Sequence, residues 1–292
     1  MTTGEKISAI GHALYVVATP IGNLRDISLR ALDVLAAVDV IAAEDTRVTA
    51  RLVARYGIAT RLLSLHAHNE RRRVAEIVSL LGAGKSVALV SDAGTPAISD
   101  PGAALVRVVA EAGYDVIPIP GPSAVIAALS ASGIAAPRWL FYGFLPATAS
   151  ARRAALTRLC DFPGALVFYE APHRTAATIG ALAAALGPER GLVVARELTK
   201  RFETIHRCRL GEASAWLAAD PDRTRGEFVL IVDAPAALAP TEAPSDAHDP
   251  TLSVLLAELP VAQAVRLAVR LTGASRNRLY ERALALAKAP RG

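Results

Sequence analysis

Two clusters of ionisable side chains in this chain of 292 residues have types and spacing suited to chemistry. Glu44 and Asp45 stand together at the carboxyl end of the strand read at Val38 to Ala43. Paired carboxylates at a strand's end are costly to desolvate, so they call for a partner or a task. Two readings stay open there. One is acid–base chemistry; the other is structural, with Asp45 or Thr46 capping the next helix and Arg47 neutralising either acid. Glu170, His173 and Arg174 pose the same question around Pro172, with structural ion pairing as the alternative.

A different kind of signal comes from loops made of small and turn-forming residues. The longest is Leu89-Val-Ser-Asp-Ala-Gly-Thr-Pro-Ala-Ile-Ser-Asp-Pro-Gly102, where an apolar run gives way to side chains that cannot build a core. Open α/β sheets place ligands at such strand ends. Gly94 omits a Cβ where a ligand would approach the main chain, and Asp92, Thr95, Ser99 and Asp100 offer polar groups. The bland alternative is a strand-to-helix turn with Ser99 or Asp100 as N-cap. Thr19-Pro-Ile-Gly-Asn23 and Pro120-Gly-Pro-Ser123 have the same character after two other strands, and clustering of three such loops along one sheet edge favours a ligand.

Other motifs are excluded. Leu81-Gly-Ala-Gly-Lys-Ser86 has Ser79 where a phosphate loop needs glycine, and it precedes a strand instead of following one. No Gly-x-Gly-x-x-Gly opens the first helix, which argues against a Rossmann-type site. His66 and His68 share one face of a strand, but no acid or thiol lies at ligand spacing, so no metal site is expected and a polar site edge is the reading.

The elements that must position these residues alternate. Strands are predicted at Ala13 to Thr19, Val38 to Ala43, Leu62 to Leu65, Val87 to Val90 and Asp115 to Ile119, with helices between them. That order gives a mostly parallel sheet with right-handed crossovers and a first α/β domain over residues 1–135. A second α/β domain over 136–235 is predicted to hold a mixed sheet in which Phe202 to Leu210 pairs antiparallel with Phe228 to Val232. Residues 236–250, with Pro240, Pro244 and Pro250, read as a linker. Residues 251–292 read as a tail with helices at Val261 to Leu271 and Arg276 to Lys288, in outline a helix-turn-helix.

Composition narrows the classes. The chain is 52% hydrophobic but only 5% aromatic, and no apolar run approaches the roughly 18 residues a membrane helix needs. A soluble, untargeted cytoplasmic protein is expected. Cys160 and Cys208 are too few for a disulfide framework or a four-thiolate metal site. The formal charge of +5 resides in the tail: Arg266, Arg270, Arg276, Arg278, Arg282, Lys288 and Arg291 face only Glu258 and Glu281. A neutral body with a basic end points to a polyanionic partner.

Eight segments in order carry a resemblance: Thr19-Pro-Ile-Gly-Asn-Leu24, Ala43-Glu-Asp-Thr-Arg47, His66-Ala-His-Asn-Glu70, Val90-Ser-Asp-Ala-Gly-Thr-Pro96, Pro120-Gly-Pro-Ser123, Gly143-Phe-Leu-Pro146, Phe168-Tyr-Glu170 and Ala195-Arg-Glu-Leu-Thr-Lys200. Together they resemble the ribosomal RNA small subunit methyltransferase I family from about residue 13 to the end. The resemblance implies a tetrapyrrole-methylase-like fold, with S-adenosylmethionine in the cleft between two α/β domains. It implies 2′-O-methylation of a cytidine in the decoding region of 16S ribosomal RNA, as naked RNA or in the 30S subunit, by a homodimer. Cofactor contacts implied by motif are Pro20, Gly22, Asn23, Ser91, Asp92, Gly94, Thr95 and Ser123, with Leu145, Gly226 and Glu227 from the second domain. Where other branches of the superfamily carry Gly-Asp-Pro, this chain has Ser91-Asp-Ala-Gly-Thr95. Candidates for general base or hydroxyl orienter are Asp45, Glu44 and Glu170, in that order. His66, Lys200, Arg276, Arg278 and Arg282 are the expected RNA contacts. The alternatives weighed are a same-fold methyltransferase of a tetrapyrrole or other small molecule, and a non-catalytic RNA-binding module; the basic tail argues against the first and the intact loops against the second.

Overall fold

The computed structural model describes residues 10–66, 69–235, 248–272, 274 and 276–288, without the side chains of 277, 278 and 288. The readings placed on His68, on most of the Pro-rich linker and on the side chains of Arg278 and Lys288 lie outside the described residues. Met1–Ala234 forms one compact unit and Pro235–Gly292 another.

The first unit opens with a five-stranded sheet. Its strands are β1 (Leu14–Val17), β2 (Val40–Ala43), β3 (Arg61–Ser64), β4 (Val87–Val90) and β5 (Val116–Ile119), in the spatial order β3-β2-β4-β1-β5. All pairings are parallel. The helices that follow are α1 (Leu29–Ala37), α2 (Thr46–Arg55), α3 (Glu70–Gly82), α4 (Ala103–Glu111) and α5 (Ala124–Ser132). Apolar residues alternate between the two faces, as a sheet covered on both sides requires. Tyr15, Val17, Ile41 and Val90 pack with Val34 and Leu35 of α1 and Leu52 of α2. Leu14, Val40, Ala42 and Leu89 pack on the other side with Ile77 and Leu81 of α3 and Leu105 of α4. β1 leads towards β2 on one side and β4 towards β5 on the other, so the chain reverses direction between these two neighbours, which is where such sheets bind ligands.

A second five-stranded sheet follows in the same unit: β6 (Trp139–Phe144), β7 (Ala165–Glu170), β8 (Gly191–Arg196), β9 (Thr204–Arg209) and β10 (Phe228–Val232), ordered β6-β7-β10-β8-β9. Helices α6 (Ala149–Thr157), α7 (Pro172–Leu186) and α8 (Leu210–Ala218) cover one face around Phe168, Leu182 and Leu230. The sheet is mixed, but the expected pairing of the 202–210 segment with 228–232 does not occur. Both edges of β10 are taken, by β7 and β8, and β9 pairs with β8 through a short turn, Ile205 opposite Ala195. α5 precedes residue 135, yet Val125 and Ala128 pack under the second sheet against Val167, Val193 and Val229. α4 also begins differently from expectation: its N-cap is Gly102 at φ 125°, not Ser99 or Asp100. An added Cβ at Gly102 would lie 2.7 Å from Leu89 Cδ2, so the backbone must pass too close to β4 for any side chain.

The second unit holds α9 (Asp249–Glu258), α10 (Val261–Thr272) and α11 (Arg276–Lys288) around Leu252, Val265, Ala268, Leu279 and Ala283. The predicted helices at 261 and 276 are present. α9 went unread because its apolar residues lie on all sides, with Leu252 buried and Val254 exposed. Arg282 of α11 grips Asp249 of α9, its Nε 2.7 Å from Oδ1.

Candidate functional site

The loops after β1 and β4 meet at the reversal point. Thr19 and Gly94 exchange backbone hydrogen bonds of 2.9 and 3.0 Å, and Thr19 Oγ1 donates to the Ser91 carbonyl at 3.0 Å. Gly94 adopts φ 83°, a left-handed conformation that disfavours side chains. Thr95 Oγ1 donates to the Pro122 carbonyl at 3.0 Å, which ties in the loop after β5.

Beside these loops lies a cavity of about 410 Å³. The first sheet's loops contribute Ile21, Gly94, Thr95, Ile98 and Asp100; Ser123 and Ala124 follow; the second sheet adds Tyr169, Glu170, Leu198, Glu227, Phe228 and Val229. Of the expected cofactor contacts, Gly94, Thr95, Ser123 and Glu227 line this cavity. Ser91 and Asp92 instead line a smaller one of about 300 Å³, with Leu24, Val48, Thr49, Arg51 and Leu52. Pro20, Gly22, Asn23, Leu145 and Gly226 line neither. Asn23 caps a short 3-10 turn, accepting from the Arg25 amide at 3.1 Å. Burial raises the pKa of Asp100, with a hydrogen bond from Ser91 opposing and nearby Asp92 adding to the rise. Tyr169 is likewise raised by burial.

The three carboxylates singled out as base candidates have different surroundings. Asp45 caps α2, accepting from the Arg47 amide at 2.8 Å, and Arg47 Nη2 sits 2.6 Å from its other oxygen. The Arg47 side chain and amide together hold its carboxyl down to about 2. Glu44 has no cationic partner among the described residues. Among the described residues it accepts only from the Asp92 amide, at 3.4 Å, and burial raises its pKa, reinforced by Asp100, Asp92 and Asp45. Glu170 has a fully buried side chain, paired with Arg174 Nε at 3.1 Å and accepting from the Ala171 amide and the Thr178 hydroxyl. Arg174 in turn donates to the Leu145 carbonyl, fastening the Gly143–Pro146 loop to the start of α7.

Lys200 closes the site's edge from the β8–β9 turn. Its Nζ lies 2.9 Å from both Glu197 Oε1 and Glu227 Oε2, and its Cγ would stand 2.5 Å from a Cβ at Gly22. Glu197 and Thr199 hold positive φ in this turn, at 52° and 66°. Lys200, expected as an RNA contact, therefore spends its charge on two acids. A methyl at Gly226, φ 91°, would overlap Glu197 Cδ at 2.5 Å. Gly226→Ala should lower stability by about 1–3 kcal/mol, read as a reduced urea midpoint; an unchanged midpoint would show that the turn relaxes freely.

His66 lies two residues beyond β3, its amide donating to Asn69 Oδ1 at 2.9 Å. Arg276 is exposed at the start of α11, whereas Arg282 is engaged with Asp249. Reading the sequence missed Ile98, Tyr169, Leu198, Phe228 and Val229 as cavity walls. The available signal was adjacency: Tyr169 precedes Glu170, and Phe228 follows Glu227.

Residues 13–214 match the family described as Tetrapyrrole (Corrin/Porphyrin) Methylases, and residues 242–287 match the RsmI C-terminal HTH domain. The chain is similar to the ribosomal RNA small subunit methyltransferase I of Escherichia coli O157:H7, 49% identical over 93% of this chain and 94% of that one. It is also similar to the protein of the same name from Xylella fastidiosa (strain Temecula1), 50% identical over 91% of this chain and 97% of that one. In fold it resembles the uroporphyrin-III C-methyl transferase of Thermus thermophilus complexed with S-adenosyl homocysteine, with TM-score 0.54, 18% identity, and 76% and 97% of the two chains covered. With half its residues shared along nearly its whole length and both of its units matched, the chain belongs to the ribosomal RNA small subunit methyltransferase I family.

Proposed function

We propose that this chain transfers a methyl group from S-adenosylmethionine to the ribose 2′-oxygen of a cytidine in the decoding region of 16S ribosomal RNA, as a cytoplasmic homodimer. The observation that carries the chemistry is the cavity at the β1/β4 reversal point; Glu44 does not line it, but its carboxylate accepts from the amide of Asp92, the residue before Ala93 in the cavity wall. Its volume falls within the range of small-ligand sites. Ile98, Leu198, Phe228 and Val229 offer apolar walls to an adenosyl group, and Gly94 leaves a bare main-chain edge. Asp100, a carboxylate whose burial disfavours its charge, gains from a cationic ligand such as a sulfonium or ammonium.

When bound, S-adenosylmethionine supplies an electrophilic methyl on positively charged sulfur. The 2′-oxygen forms the new C–O bond, the S–C bond breaks with its electron pair going to sulfur, and the hydroxyl proton must leave. Glu44 takes that proton in this reading, since no arginine or lysine among the described residues pairs with its carboxylate. Asp92 orients Glu44 through its amide and Asp45 through its carboxylate, which accepts the Asp45 amide at 2.9 Å. Holding hydroxyl and methyl in line is the larger contribution, with effective molarities on the order of 10⁵ M or more.

Incubation with methyl-labelled S-adenosylmethionine and 30S subunits, naked 16S RNA or a porphyrinoid tests the reading. The expected product is an alkali-resistant dinucleotide labelled on a cytidine ribose. Label on the porphyrinoid alone, on a base, or nowhere would overturn it.

The tail supplies the second prediction. Arg266 and Arg270 are exposed one turn apart on α10, and Arg276 is exposed on α11. Replacing all three by glutamine should weaken RNA binding at every sequence and reduce the slope of log affinity against log salt by about 2. An unchanged slope would remove the tail from the interface.

A further inference from the structure

The smaller cavity has a composition that the cofactor does not require. Leu24 from the short turn after β1 and Val48 from α2 are 43% and 38% exposed there, while Leu52 is buried behind them. Exposed aliphatic side chains at the rim of a cavity of about 300 Å³ suit a flat ring, and the volume lies at the small end for ligand sites. The polar groups have hydrogen-bonding capacity to spare. Asp92 Oδ1 takes the Asp45 amide, but Oδ2 accepts from no described residue. Thr49 is 2% exposed, and its hydroxyl makes no hydrogen bond with a described residue; Arg51 makes no hydrogen bond or ion pair with one. An uncommitted hydroxyl in a cavity wall is available to hydrogen-bond a ligand group.

We infer that this cavity is the slot that reads the target base, selecting cytosine by its exocyclic amine through Asp92, with Arg51 and Thr49 donating to the ring's acceptor edge. This rests on the reading that the substrate is an RNA cytidine. Cytosine presents an amine donor followed by two acceptors, and a carboxylate is the side chain that accepts from that amine. Uracil presents a carbonyl at the same place, leaving two acceptors facing each other and both unsatisfied. A purine presents a larger ring and, in guanine, a carbonyl towards the carboxylate. The placement suits the chemistry as well. Asp92 stands one residue before Ala93 and Gly94, which line the cofactor cavity, and its amide holds Glu44. A base in the slot thus has its ribose beside both the proton acceptor and the methyl donor's cavity. Asp92, expected from the motif as a cofactor contact, becomes a specificity residue.

The test uses 30S subunits reconstituted on 16S transcripts that carry cytidine or uridine at the mapped position. Wild type should methylate cytidine at least about 10-fold faster than uridine. Asp92→Asn, whose amide both donates and accepts, should lose rate on cytidine and bring the two rates closer, with S-adenosylmethionine affinity by calorimetry unchanged. Val48→Trp, which fills the slot, should block methylation of either RNA while still binding S-adenosylmethionine. An unaltered cytidine-to-uridine ratio in Asp92→Asn, cofactor affinity that falls in step with rate, or a fully active Val48→Trp would each overturn the slot. Absence of label on RNA with the wild-type protein would overturn the methyltransferase reading beneath it, which keeps the two failures distinct.

Discussion

Replacing Glu44 by glutamine lowers the rate of methyl transfer to RNA by about 10²- to 10⁴-fold, the usual contribution of a general base, and leaves S-adenosylmethionine affinity unchanged. The residual rate persists because positioning of hydroxyl and methyl does not depend on this carboxylate. The pH dependence follows from the same surroundings. Burial, with Asp100, Asp92 and Asp45 nearby, raises the Glu44 pKa. The active form is deprotonated, so the wild-type rate falls as pH drops through that raised pKa, and above it the rate is flat until other groups titrate. Glu44→Gln removes this acidic limb. Asp45→Asn leaves the limb in place, since Asp45 stays ionised down to about 2 beside Arg47; its cost is a frayed first turn of α2, seen as a lower melting temperature. A preserved acidic limb in Glu44→Gln, or its loss in Asp45→Asn, would return the role to Asp45.

That contrast shows where the sequence stopped being informative. Both readings of Glu44-Asp45 were available: the cap describes Asp45, while acid–base chemistry is the role proposed for Glu44. The cap was legible because Asp45 and Arg47 are neighbours in the chain. The environment of Glu44 was not, since it is set by Asp92 and Asp100, which β4 brings alongside β2 from about fifty residues away. The first sheet was legible because β2 and β4 are continuous apolar runs and end in residues unfit for a core. The second was harder. β9 has half-buried and exposed residues but none fully buried, as an edge strand does, and nothing local says whether its neighbour is β8 or β10. Leu198, Phe228 and Val229 read as ordinary core, and only the approach of the first sheet's loops makes them a cavity wall. α5 shows the same limit: Ala124–Ser132 is apolar nearly all round, so nothing local says which sheet it covers.

Glu170→Ala is expected to destabilise the protein by about 3–5 kcal/mol, because it leaves Arg174 largely buried without its counter-charge. The Glu170 side chain has no solvent exposure and three partners, and Arg174 is 21% exposed. Arg174 also carries the Leu145 carbonyl, so losing the pair loosens the Gly143–Pro146 loop and with it Phe144 at the cavity wall. A role in chemistry makes a different set of predictions. If Glu170 moved the proton, Glu170→Gln would fold normally and lose as much rate as Glu44→Gln. The structure predicts the reverse: Glu170→Gln keeps most of the rate under conditions where it is folded, but shows a lower urea midpoint at equal slope. The double variant Glu170→Leu/Arg174→Met separates the cost of an unpaired charge from the worth of the pair. Replacing a buried ion pair by apolar side chains of similar volume is often neutral or stabilising, so most of the stability lost in Glu170→Ala should return, while the loop, deprived of its donor, keeps a weakened hold on S-adenosylmethionine. Recovery of stability with restored affinity would mean that packing alone positions the loop; no recovery of stability would mean that the pair itself, and not its disruption, is what stabilises α7 against the second sheet.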